Sequence, residues 1–157
     1  YLDETCPTPY EQKYLNVHAC SSRQVYDFVE WIKTQPFFDN TTVVVAGDHL
    51  GMQTEFYERM IGSESDYRRT IYNLFINSTI DSVSDSIRYD RIFSTMDMYP
   101  TTLAAIGAKI PGERLGLGTN LFSGEKTLPE VYGWSHLNEE LAKRSSFYNQ
   151  VILTDRK

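Results

Sequence analysis

The side chains best suited to chemistry are an adjacent pair, Asp48 and His49, at the exit of the run Thr-Thr-Val-Val-Val-Ala-Gly that begins at Thr41. A carboxylate beside an imidazole suits a divalent cation such as zinc or manganese. Neighbouring residues on an extended chain point to opposite sides. The two can share one ion only if the chain turns where they stand, and Gly47 and Gly51 on either side permit that turn. The competing reading has Asp48 capping a turn and His49 hydrogen bonded at the surface, since two ligands alone do not make a site.

Other candidates are sparser. His18 and His136 read as solvated or capping residues. Arg23 could reach an anionic substrate, although an arginine so placed more often belongs to a solvated helix face. The glycines between Gly112 and Gly124 do not supply Gly-Lys-Ser/Thr in register, so a structural surface loop is expected there rather than a phosphate cradle. Asn40 and Asn77 open glycosylation-type triplets of a kind frequent by chance. No serine nucleophile elbow is present. Cys6 and Cys20 flank a short segment holding Pro7 and Pro9. That spacing suits a disulfide worth about 3 kcal/mol, with two free buried cysteines as the alternative. A disulfide would imply an oxidising compartment.

The elements that must position these groups follow from periodicity. Val25, Phe28, Val29 and Ile32 make the stripe of an amphipathic helix, capped by Ser21 or Ser22 or starting earlier, and ended at Pro36. Thr41 to Ala46 is too short for a helix and β-branched, as in a strand buried on both faces of a parallel sheet. Residues 50–69 read as a loop or irregular helix, 70–77 as a second strand, and 147–153 as a last one. A helix with Met98, Leu103, Ala104 and Ile106 on its apolar face ends near Gly107, and a short polar helix follows Ser135 as its cap. The pattern is that of an α/β domain.

The 157 residues suffice for one domain with a core. At 41% hydrophobic and 13% aromatic the chain is globular. Its formal charge of -6 argues against nucleic acid as a partner, which would require a basic stripe. No apolar run approaches the roughly 20 residues of a membrane helix.

Two segments carry a family resemblance. "FFDNTTVVVAGDHLGM" from Phe37 and "IFSTMDMYPTTLAAIGAKIPGERLGLGTNLFSGEKTLPEVYG" from Ile92 resemble the C-terminal part of the lipoteichoic-acid-synthase-like phosphoglycerol transferases, within the sulfatase and alkaline-phosphatase superfamily. The Gly-Asp-His after a strand and the Asp97, Pro100, Thr101 helix are superfamily features. The segment from Arg114 to Leu128 points to the glycerophosphate-transferring branch.

The resemblance implies a three-layer α/β domain with a mostly parallel central sheet, of which residues 1–157 form the C-terminal part. The N-terminal half would lie upstream of Tyr1, with a glutamate, the nucleophilic threonine and the substrate-contacting histidines. It implies that Asp48 and His49 bind one catalytic divalent metal, typically Mn²⁺, with Zn²⁺ or Mg²⁺ as alternatives. Asp97 is then structural, ordering the start of its helix.

The implied activity moves glycerophosphate from a phosphatidylglycerol-type lipid to a glycan or polymer acceptor through a threonine-linked intermediate. It would take place at the extracytoplasmic face of a bacterial membrane, anchored from upstream, and these residues alone would be inactive. Alternatives are a sulfatase, phosphodiesterase or phosphoethanolamine transferase of the same superfamily, or a non-catalytic binding module.

Overall fold

A computed structural model describes residues 6–62, 66–80 and 82–153. Helix α1 spans Lys13–Lys33, and the Gln12 side chain caps it by accepting from the Tyr14 amide. Ser21 and Ser22 therefore lie inside the helix and do not cap it. Of the expected stripe, Val29 and Ile32 are buried, while Val25 is exposed and Phe28 is 55% exposed. The face exists, but it is only partly covered. Cys20 on α1 is joined to Cys6 by a disulfide with a Cα–Cα distance of 5.6 Å.

A 3-10 turn, Phe38–Asn40, leads into strand β1, Val43–Ala46. Helix α2, Thr54–Ile61, and strand β2, Asn73–Ile76, follow. The register runs from Val43↔Ile76 to Ala46↔Asn73, antiparallel. The expectation is met in part. Helices and strands alternate as in an α/β domain, but the described strands form two antiparallel pairs, and a parallel central sheet is not seen among them. Because β1 has β2 as its one neighbour among the described residues, its three valines are half-buried rather than enclosed on both faces. Asn77 closes the pair by donating its side-chain amide to the Phe38 and Thr41 carbonyls, at 2.7 and 3.0 Å.

The second half packs around polar residues. After the short helix α3, Asp85–Arg88, a 3-10 turn at Thr95–Asp97 runs into α4, Met98–Ala105. Asp97 is fully buried. One carboxylate oxygen accepts from the Ser94 amide at 2.8 Å and its hydroxyl at 3.1 Å; the other accepts from the Thr119 amide at 2.7 Å. This is the structural role expected for Asp97. It also sets the phase of α4. Pro100, Thr101, Ala104 and Ala105 face inward and Ile106 outward, instead of the Met98, Leu103, Ala104 and Ile106 face inferred from periodicity. Gly107, at φ 88, ends the helix as anticipated.

The glycine-rich segment is not a loose surface loop. Strands β3, Arg114–Leu115, and β4, Gly118–Thr119, form a tight hairpin whose Gly118, Thr119 and Asn120 are buried. A Cβ on Gly118 would collide with the Met96 carbonyl, so only glycine allows the hairpin to lie against the turn before α4.

Helix α5, Leu128–Tyr132, opens with a capping box of Thr127 and Glu130. Arg91 meets Glu130 through Nε at 2.7 Å and Nη2 at 3.0 Å, and donates to the Ser123 and Glu125 carbonyls. Helix α6, Trp134–Leu141, takes Gly133 as its N-cap and leaves Ser135 within its first turn. The last expected strand is a single π-helical turn, Tyr148–Ile152, with exposed Val151 and Ile152. An apolar run becomes a strand only beside a partner edge, and the described residues offer it none.

Candidate functional site

The Asp48–His49 pair sits where β1 stops. The Gly47 amide still bonds the Tyr72 carbonyl at 2.9 Å, extending the ladder by one step, and the chain then bends at Asp48 and His49. Gly47 lies close against Ile71, at 2.7 Å from where a Cβ would stand to its Cγ2, so the exit of the strand is narrow. The bend defeats the alternation of an extended strand and turns both side chains to one side. Asp48 Oδ2 lies 3.5 Å from His49 Nε2, with both side chains open to solvent. Asp48 Oδ1 accepts from the His49 amide at 2.9 Å, which orients the carboxylate.

The histidine ring is oriented as well. His49 Nδ1 is 2.8 Å from the Leu50 carbonyl oxygen. A carbonyl can only accept, so Nδ1 carries a hydrogen, and in the neutral ring it is Nε2 that holds the lone pair, on the side occupied by the carboxylate. Metal-bound histidines are held in this way, with the second ring nitrogen donating to a carbonyl or carboxylate. Two ligands about 2.1 Å from one ion at a tetrahedral angle stand roughly 3.4 Å apart. The pair fits a shared divalent cation in donor type, tautomer and separation. Among the described residues no third His, Cys, Asp or Glu joins them.

Two further side chains frame this turn. Arg69 Nη1 donates to the Gly51 carbonyl at 3.0 Å, and its guanidinium lies 4.5 Å from the centroid of the Tyr57 ring. The Tyr57 ring on α2 stands edge-on to the Tyr14 ring of α1, centroids 6.4 Å apart, and the neighbouring Tyr57 hydroxyl raises the Tyr14 pKa above its ordinary value. Phe56 packs edge-on against Tyr14, with ring centroids 4.8 Å apart. The sequence carried no local sign of Arg69, which stands 18 residues beyond its partner Gly51.

The remaining candidates lie elsewhere. Arg23 is exposed on α1, its Nη2 3.9 Å from the Cys20 sulfur. His18 stacks edge-on against Tyr14 at 4.4 Å, and His136 lies 5.9 Å from the Tyr132 ring. Among the described residues no helix is long and apolar enough to cross a membrane.

Comparison with known proteins gives this arrangement a context. Over 115 residues, 73% of the chain, it is 30% identical to phosphoglycerol transferase I of Citrobacter koseri and of Salmonella choleraesuis. Phosphoglycerol transferase I of Escherichia fergusonii is 29% identical over the same length. The matched region spans 14% of the length of each of these curated relatives. No family model matches the chain. No solved structure matches it. The chain is a homologue of part of the phosphoglycerol transferases of the sulfatase superfamily.

Proposed function

We propose that the protein to which these residues belong is an extracytoplasmic, metal-dependent phosphoglycerol transferase. The observation that carries this reading is the similarity to phosphoglycerol transferase I over 73% of the chain. The geometry at the end of β1 agrees with it: a carboxylate oxygen and an imidazole nitrogen stand 3.5 Å apart on a solvent-facing bend.

In this reading Asp48 and His49 hold one divalent cation, Mn²⁺ ahead of Zn²⁺ or Mg²⁺. Such an ion offsets phosphoryl charge and lowers the pKa of an attacking hydroxyl. Asp48 contributes the anionic ligand and His49 the neutral one, with the Leu50 carbonyl fixing its tautomer. The nucleophile is a threonine upstream of Tyr1. Its oxygen forms the new bond to phosphorus, the bond to the lipid glycerol breaks, and diacylglycerol leaves with the proton. An acceptor hydroxyl on a glycan or polymer then displaces the threonine. The donor is a phosphatidylglycerol-type lipid, and a membrane anchor lies upstream.

An incomplete domain is consistent with the surface. A compact monomer of this mass exposes roughly 8,100 Å², whereas the chain exposes 12451 Å². The remaining strands of a mostly parallel three-layer sheet would cover part of that difference and supply further ligands.

The test is an assay of the complete polypeptide with phosphatidylglycerol, a glycan acceptor and Mn²⁺, following diacylglycerol release and glycerophosphate on the acceptor. Asp48→Ala is expected to abolish both. Sulfate or phosphoethanolamine release in place of diacylglycerol would move the protein to another branch of the superfamily, and full activity in Asp48→Ala would remove the pair from the chemistry.

A further inference from the structure

We infer that Arg69 is a positioning residue for the Asp48–His49 centre, acting on His49 through the Gly51 carbonyl. The inference rests on the metal reading of that pair and extends it to a residue with no ligating atom of its own.

Two consecutive carbonyls connect Arg69 to His49. The Leu50 oxygen receives the His49 Nδ1 hydrogen at 2.8 Å, and the Gly51 oxygen receives Arg69 Nη1 at 3.0 Å. The two peptide planes meet at the Cα of Gly51. A glycine joint is the softest the backbone offers, so without a constraint the Leu50 carbonyl could swing and take the His49 ring with it. Arg69 fixes the second plane and thereby limits the first.

Arg69 is itself held by a rigid support. Its guanidinium lies 4.5 Å from the Tyr57 ring centroid, a cation–π geometry. Tyr57 belongs to α2, and its ring meets the Tyr14 ring of α1 edge-on with centroids 6.4 Å apart. A Cβ on Gly51 would collide with the Tyr57 hydroxyl, so the glycine also lets this ring approach the turn. The line from His49 to Leu50, Gly51, Arg69, Tyr57 and Tyr14 ties an exposed bend to two helices. A flexible bend would have to freeze when a cation binds, and an ordered one has met that entropy cost beforehand.

The experiment measures Mn²⁺ binding to the complete polypeptide, in the absence of lipid and acceptor, by titration and by the EPR spectrum of the bound ion. Arg69→Ala is expected to weaken binding about tenfold and to broaden the spectrum, while the melting temperature of the metal-free protein stays near that of wild type. Arg69→Lys, which restores a donor to Gly51, should recover most of the affinity. Should Arg69→Ala fail to fold, Tyr57→Leu removes the platform beneath the guanidinium and should weaken binding in the same direction. Wild-type affinity and spectrum in folded Arg69→Ala, or in Tyr57→Leu if that stands in for it, overturns the inference. Asp48→Ala separates the two levels. If it abolishes Mn²⁺ binding while the Arg69 variant binds normally, only the Arg69 role fails. If Asp48→Ala binds Mn²⁺ as wild type does, the metal reading fails first.

Discussion

Asp97 and Glu130 each gather several donors around one carboxylate, and both are tested by small changes. Asp97 accepts from two amides and a hydroxyl while fully buried. Asp97→Asn replaces an acceptor oxygen with an NH₂ group that must face another donor. It is expected to destabilise the protein by about 2–3 kcal/mol in urea denaturation. Mn²⁺ affinity of the folded fraction should not change; a loss matching that of Asp48→Ala would make Asp97 a ligand. For Glu130, burial pushes the pKa up, but the Arg91 side chain and the Thr127 and Ile92 amides outweigh it, and the net position is below 4.5. A carboxylate with a depressed folded pKa contributes stability that is complete above its unfolded value and disappears as pH falls through the folded one. Wild-type stability should therefore decline below about pH 4.5, and Glu130→Gln should flatten that part of the profile. At neutral pH the variant leaves Arg91 largely enclosed without its counter-charge, costing about 3 kcal/mol.

Two attachments decide how the elements hold together. The disulfide ties the segment before α1 to its second turn, at a sequence separation of 14. Closing a loop of that size constrains the unfolded chain by about 3 kcal/mol. Reduction, or Cys20→Ser, is expected to lower the denaturation midpoint accordingly, measured with and without dithiothreitol. The β3–β4 hairpin is held by contact instead of a bond. Because the atom facing Gly118 is the backbone carbonyl of Met96, Gly118→Ala cannot be relieved by a rotamer change. It should cost about 3 kcal/mol, the upper part of the usual overpacking range. Unchanged stability in that variant would show that the hairpin can lift away from α4.

At the scale of the whole molecule, α1 presents exposed Tyr26, Phe28 and Trp31, with Phe28 stacked on Trp31 at 5.9 Å. Isolated apolar side chains are ordinary on a surface, but a clustered aromatic patch marks a place that something covers. The proposed function assigns that cover to the upstream half of the same domain. Oxidative footprinting should then label Trp31 strongly in the 157-residue chain and weakly in the complete polypeptide. The short chain should also lack transfer activity with Mn²⁺ present. Equal labelling of Trp31 in both proteins would place the domain contact elsewhere.

The sequence determined the local features: the long helix, the strand before the Asp48–His49 pair and its partner, and the stop at Gly107. Each follows from side-chain spacing or from bonds within a few residues. Tertiary structure decided the rest. Strand direction depends on which edge is near, and β1 found the antiparallel β2. The 148–152 run found no edge among the described residues and curled into a helical turn. The buried face of α4 was set by the Thr119 amide, 22 residues beyond Asp97, and not by its own apolar pattern. At the site, the two ligand types were legible because they are adjacent, whereas Arg69 was hidden because its contact with Gly51 exists only once the chain has folded back. Local chemistry is written in neighbouring residues; which distant residue completes it depends on chain closure, and no local spacing encodes that.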